Sequence, residues 1–259
     1  MFLFAALHAR VNLTLFVASK CPDAPRCESF LQPALQAVGG LVDLQLDYIG
    51  APNASAPYGV DCMHGDSECV GNAVQLCVRR HFPFTVDIET ERLGPHNSWS
   101  LFLRCVGNFS STVESAIPGN TNACLQKLGV PSSIADRIRD CVDGDEGVAM
   151  LQQSIARTRR ECGAHTEAPR QGCKSCTMHL DGRRACVLDG GAVYNCSGFE
   201  TPQAWVRQIC EAAANDPASQ PLPFACRASQ PPPRVWGHSY ASTDAAASAT
   251  FAVKYFGAT

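Results

Sequence analysis

The sequence predicts an α/β fold stapled by disulfides, and three observations predict it. Residues 11–19 and 41–49 read as strands on either side of a helical stretch, a β-α-β opening. Residues 176–188 read as a hairpin and residues 202–214 as a closing helix, which together supply a β-β-α second half. Fifteen cysteines in 259 residues far exceed ordinary usage. A reducing cytosol would leave such a set as reactive thiols, so the chain belongs in an oxidising compartment.

Each element has its own local reason. Residues 11–19 (VNLTLFVAS) are β-branched and apolar, a buried strand running into Lys20 and Cys21. From Cys27 an apolar-periodic stretch runs to Gly39 and Gly40, with Pro33 expected to kink or restart the helix. Residues 41–49 (LVDLQLDYI) alternate strictly and form the second strand. A strand that hands cysteines to a helix before a second strand is the active-site layout of thioredoxin-like folds. Helical spacing recurs over residues 97–106, 121–128, 132–141 and 145–160, with Ser132 and Asp145 as caps. The Asp181-Gly182 pair marks a tight hairpin turn.

Composition narrows the function classes. A net charge of −3 leaves no basic stripe to neutralise phosphates, which argues against a nucleic-acid partner. No apolar run reaches the roughly 18 residues that a membrane span needs. Sequons at Asn12, Asn53, Asn108 and Asn195 agree with a secretory route and a glycoprotein, although a glycan would fit badly on Asn12 within a strand. Residues 1–10 read as a poor or truncated signal segment, or as an extension of the first strand, because their apolar core is only about six residues long. Residues 215–259 turn to Pro, Ala and Ser and read as a mostly disordered tail in which Cys226 can tie back.

The densest chemistry lies between Cys62 and Cys77. Asp66 and Ser67 suit a helix start, which places Cys69 and Cys77 on one face about 12 Å apart, too far to bond each other. The set Cys62, His64, Gly65, Glu68, Cys69, Asn72 and Cys77 resembles the signature of the gamma-interferon-inducible lysosomal thiol reductase (GILT) family, with Met63 where Gln is usual. Cys105, Cys124, the segment from Cys141 to Leu151, and Ala156-Arg157-Thr158 add to the resemblance. It implies a thioredoxin-like domain over residues 11–214, with a helical insertion at about residues 62–160 between its halves. It also implies reduction of protein disulfides by a cysteine pair, in a secreted or endolysosomal setting. A small thiol would be the electron donor, and no prosthetic group is implied.

The catalytic candidates are Cys21 and Cys27. The helix N-terminus, Lys20 and Arg26 favour a thiolate there, and Asp23 and Glu28 oppose it. The family resemblance implies two residues between the cysteines; this chain has Pro22 to Arg26. A helical run from 22 to 27 would hold the two Cα atoms about 9 Å apart, so a bond requires residues 22–26 to loop out, as Pro22, Asp23 and Pro25 favour. The alternative is that both cysteines are staples.

Cys176 is an auxiliary candidate. It falls where a thioredoxin-like fold usually carries the cis-proline facing the pair, either as an alternative resolving thiol or tied to Cys173 or Cys186. The Cys173-Lys-Ser-Cys176 motif reads as structural, since it precedes a strand that offers no helix dipole. His64 is the second auxiliary candidate, as a proton donor or a partner for a thiolate, against a plain structural role. Asp66 and Glu68 read as helix caps. Neither Cys173, Cys176, Cys186 and Cys196 nor Cys62, His64, Cys69 and Cys77 has a common zinc-ligand spacing, and no metal is expected. The predicted activity is therefore thiol-disulfide exchange on protein disulfides, with a non-catalytic, disulfide-stapled binding module as the alternative.

Overall fold

The β-α-β opening forms, and its strand pairing sets the sheet. A computed structural model of the chain describes residues 11–82, 96–108, 117–163, 172–215 and 222–229. Strand β1 (Val11–Val17) alternates, with Val11, Leu13, Leu15 and Val17 turned into the main core and Asn12 exposed. Helix α1 (Asp23–Val38) lays Cys27, Leu31, Ala34 and Val38 against that core. It begins at Asp23, so residues 23–26 are helical rather than looped out. It also continues through Pro33, which forfeits only the hydrogen bond its nitrogen cannot donate. A 3₁₀ turn over Gly39–Leu41 delivers the chain to β2 (Val42–Tyr48), parallel to β1 with Leu13 opposite Leu44.

The second half joins the other side of β1. Strands β5 (Thr177–Leu180) and β6 (Arg183–Asp189) form the predicted hairpin, with Asp181 and Gly182 at φ 47° and 74° in its turn. Strand β5 is antiparallel to β1, and the sheet order is β2-β1-β5-β6-β7, with β7 (Ala192–Tyr194) on the edge. Helix α7 (Pro202–Ala214) closes the fold beside α1; Pro202 opens it, and Thr201 Oγ1 accepts from Ala204 N at 3.1 Å. Its Trp205 and Ile209 are fully buried. A parallel crossover pair with an antiparallel hairpin inserted beside its first strand is the thioredoxin-like arrangement.

The insertion lies between β2 and β5. It comprises the ribbon β3 (Gly50–Pro52) and β4 (Val60–Cys62), then α2 (Asp66–His81), α3 (His96–Asn108), α4 (Thr121–Lys127), α5 (Ser132–Asp143) and α6 (Asp145–Cys162). Disulfides bind its helices to each other, Cys77 to Cys141 and Cys105 to Cys124. Helix α6 is anchored on β2 by a buried carboxylate. Asp47, 1 % exposed at its side chain, accepts from Arg157 Nε and Arg157 Nη2 at 3.1 and 2.7 Å and from Ser154 Oγ at 2.9 Å.

A smaller core on the other side of the sheet joins Phe16, Ile49, Cys162 and Cys173, with His179 edge-on to Phe16 at 4.7 Å. The short strands β3, β4 and β7 escaped the sequence reading. So did α8 (Phe224–Ser229), which packs on α7 and carries Cys226 into a disulfide with Cys210. That part of the expected tail is therefore ordered. The leader expected at 1–10 and the tail beyond 229 lie outside the described residues.

Candidate functional site

The turn from β1 into α1 is held at nearly every backbone amide. Ala18 N donates to Ser175 Oγ at 3.0 Å, Ser19 N to Asn72 Oδ1 at 3.0 Å, Lys20 N to Glu68 Oε2 at 3.3 Å and Cys21 N to Ala18 O at 2.9 Å. Ala24 N then donates to Cys21 O at 3.1 Å and starts the helix. Cys21 therefore sits just before α1. Its thiol is half-buried, is not in a disulfide, and donates to Ser175 O at 3.7 Å.

Cys27 is placed differently from the sequence expectation. Because residues 23–26 are helical, Cys27 lies in the second turn of α1, and its partner is Cys176 rather than Cys21. Both half-cystines are fully buried, with Cα atoms 6.2 Å apart across 149 residues of sequence. Cys176 thus stands where it was expected, at the head of β5 facing the cysteine-bearing helix, and the Ser175–Cys176 peptide is cis. Its partner is neither Cys173 nor Cys186, which pair with Cys162 and Cys196. Ser175 was missed by sequence reasoning. The one signal for it was its place next to the residue aligned with the cis-proline position.

The acids beside Cys21 are compensated. Asp23 pairs with Arg26 at 2.9 Å and also accepts Gly190 N and Gly191 N at 2.6 and 3.1 Å, which fastens the β6–β7 turn to the start of α1. Glu28 is half-buried between α1 and the insertion, facing a wall that includes Ala24, Leu103, Val106 and Ile117. Burial pushes its carboxyl up to about 8, so it is uncharged in acid and near neutrality. Lys20 Nζ donates to Ser67 Oγ at 2.7 Å.

The signature residues gather on this turn. Cys62 and Cys69 bond each other across the start of α2, and Cys77 bonds Cys141, so neither Cys69 nor Cys62 pairs with Cys77. Helix α2 opens at Asp66 as predicted, but no side chain caps it. Glu68, fully buried, instead turns its carboxylate to the ring Nδ1 of His64, to His64 N at 3.3 Å and across to Lys20 N. His64 therefore contacts a carboxylate and not a sulfur. Asn72 accepts from Ser19 N and donates to Cys62 Sγ at 3.6 Å. Gly65 stands at φ 78°, ahead of the helix, where an L side chain would be strained.

Among the described residues two groups bring metal-ligand atoms within 4.8 Å, Cys162, Cys173 and His179, and His81, Cys141 and Glu146. Their sulfurs are all held in disulfides. Among the described residues no helix is long and apolar enough to cross a membrane.

Known proteins resemble the chain in two ways. A family model described as gamma interferon inducible lysosomal thiol reductase (GILT) matches residues 12–128. A gamma-interferon-responsive lysosomal thiol protein of Arabidopsis thaliana is 26 % identical over 172 residues, 64 % of this chain and 63 % of that protein. A gamma-interferon-inducible lysosomal thiol reductase of Carassius auratus is 26 % identical over 166 residues, 61 % of this chain and 57 % of that protein. The chain thus spans about three fifths of the length of the curated relatives it matches. Among solved structures, a thioredoxin-like oxidoreductase from Silicibacter pomeroyi superimposes with a TM-score of 0.45 at 12 % identity, covering 82 % of this chain and 91 % of that one. Chlamydia trachomatis DsbA does so at 0.46 and 12 %, covering 83 % and 94 %. With the signature disposed around the β1–α1 turn and the family model spanning that turn, the chain is similar over residues 12–128 to the gamma-interferon-inducible lysosomal thiol reductase family.

Proposed function

We propose that the chain reduces disulfides of protein substrates, with Cys21 as the nucleophile and Cys176 and Cys27 as the electron-donating pair. The observation that carries this reading is the free, half-buried Cys21 at the mouth of α1, its sulfur against the carbonyl of Ser175, next in sequence to the Cys27–Cys176 disulfide. Cys21 immediately precedes α1, and the Asp23 carboxylate is engaged by Arg26 and by the amides of Gly190 and Gly191.

The steps balance when the pair starts as a dithiol. The Cys21 thiolate attacks one sulfur of a substrate disulfide, forming a mixed disulfide and releasing the first substrate thiol. The Cys176 thiolate attacks Cys21 Sγ, breaks the mixed disulfide and releases the second substrate thiol. Cys27 then attacks Cys176 Sγ, which returns Cys21 as a thiol and leaves Cys27–Cys176 oxidised. Two small thiols reduce that disulfide and close the cycle. Cys176 takes the resolving role that sequence reasoning gave to Cys27, because Cys21 Sγ lies against the carbonyl of the adjoining Ser175 while α1 carries Cys27 into its second turn.

The relatives' names place them in lysosomes, and the disulfides and sequons suit a secreted or endolysosomal chain that carries glycans. One observation favours the non-catalytic binding module: Cys27 and Cys176 are fully buried. An insulin-type disulfide reduction assay with a small thiol donor separates the two readings. The enzyme loses turnover in Cys21→Ser, and Cys176→Ser accumulates a Cys21–substrate mixed disulfide visible by mass spectrometry. Turnover that survives Cys21→Ser would overturn the proposal, and absence of turnover in the unaltered chain would leave the binding module.

A further inference from the structure

We infer that Glu68 and Asn72, with His64 behind them, are positioning residues that hold the reactive turn for Cys21, an inference that rests on the thiol reductase reading. The two amides immediately before Cys21 have no partner within their own turn. Asn72 Oδ1 takes Ser19 N at 3.0 Å, and Glu68 Oε2 takes Lys20 N at 3.3 Å. Ser19 Oγ returns a bond to Glu68 O at 3.3 Å, so the turn and the first turns of α2 are tied in both directions.

The clamp is built to be rigid. Both acceptor side chains are fully buried. Glu68 is oriented by the backbone and ring nitrogens of His64, and Asn72 by Cys62 Sγ, which the Cys62–Cys69 disulfide fixes. Helix α2 comes close enough for this because residue 71 is glycine. A Cβ there would lie 2.8 Å from Ser19 Oγ and 2.1 Å from Ile117 Cγ2. The signature's Glu, Asn, His and first two cysteines therefore act on one object, the backbone that presents Cys21. Misplacement by about 1 Å is enough to cost an exchange reaction up to about a hundredfold, since attack on a disulfide needs an aligned approach.

The test uses Glu68→Ala, Glu68→Gln and Asn72→Ala in the full chain with disulfides intact. Amide hydrogen exchange at Ser19 and Lys20 reads the clamp. The rate at which Cys21 reacts with a chromogenic aromatic disulfide reads the presentation of the thiol without requiring turnover. Asn72→Ala should speed Ser19 exchange and Glu68→Ala should speed Lys20 exchange, each about tenfold or more, with residues 13–17 unchanged. Both should slow the Cys21 reaction about fivefold and lower kcat about tenfold with KM little changed. Glu68→Gln keeps an oxygen for Lys20 N and should stay within about twofold of the unaltered chain. Exposed amides with an unchanged Cys21 rate, or a Gln variant as impaired as the Ala variant, would overturn the inference. An unaltered chain without turnover would sink the enzyme reading alone, because the chromogenic reaction still decides the clamp. If Glu68→Ala does not fold, Asn72→Ala decides it through the Ser19 amide and the same two rates.

Discussion

Replacing Arg157 by Ala removes the guanidinium that faces Asp47 and leaves a carboxylate in the interior between β2 and α6. Asp47 is 1 % exposed at its side chain and Arg157 32 %. Three of the bonds to Asp47 come from Arg157, and Ser154 Oγ and Gln45 Nε2 supply one each, at 2.9 and 3.0 Å. Breaking a wholly buried pair costs about 3–5 kcal/mol, whereas an exposed pair contributes at most about 1. Arg157 is one third exposed and water can follow the truncated side chain, so the expected loss is about 2–3 kcal/mol. Urea unfolding at pH 7 with disulfides intact measures it as a lower midpoint at an unchanged m-value. The double variant Asp47→Asn with Arg157→Ala should recover at least half of the loss, because no buried charge is then left unpaired. A loss under about 0.5 kcal/mol, or a double variant less stable than the single one, would refute the account of how the insertion is anchored.

Three further outcomes follow from the same reasoning. Burial first, then the charge of Arg184, pulls the His179 imidazole down to about 4 despite Glu161 at 3.6 Å, because burial outweighs that carboxylate. The unfolded chain then binds a proton that the fold does not, so stability should fall by up to about 3 kcal/mol between about pH 6.5 and pH 4, and His179→Leu should flatten that part of the thermal stability profile. Glu28 works in the opposite sense: its raised carboxyl keeps a proton in the fold, so stability should fall as pH rises from about 4.5 to about 8. Glu28→Gln should remove about 2 kcal/mol of that fall in denaturant titrations at several pH values, a figure reduced for the group's half-buried position. Gly71→Ala should cost about 1–3 kcal/mol by forcing a Cβ against Ile117, with partial recovery on adding Ile117→Ala, read by thermal unfolding.

Much of this molecule was legible in its sequence because its signals are local. The alternation of residues 41–49, the Asp181-Gly182 turn and the Asp66-Ser67 helix start each depend on near neighbours, and each formed as expected. The cysteine partners were not legible. Cys27 and Cys176 are 149 residues apart, and only the sheet pairing of β1 with β5 brings the head of β5 over α1. The loop expected at residues 22–26 rested on Pro22, Asp23 and Pro25, yet a proline in the first helical turn has no amide bond to lose, and Pro25 is accommodated in a helix that starts at Asp23. Glu68 was read as a local cap because three-residue spacing suggests one. It caps nothing and instead accepts from Lys20 N across 48 residues, a consequence of how the insertion folds back on the turn.

In the proposed mechanism Cys21 is the working thiol, and Cys27 and Cys176 form the couple behind it. Differential alkylation with peptide mass spectrometry tests it on the native chain, before and after brief treatment with a small thiol. Cys21 alone should be alkylated at first, and Cys27 and Cys176 should be the next sulfurs to open, ahead of the other six disulfides. A Cys21 that stays unmodified, or a Cys27–Cys176 bond that outlasts the others, would contradict it.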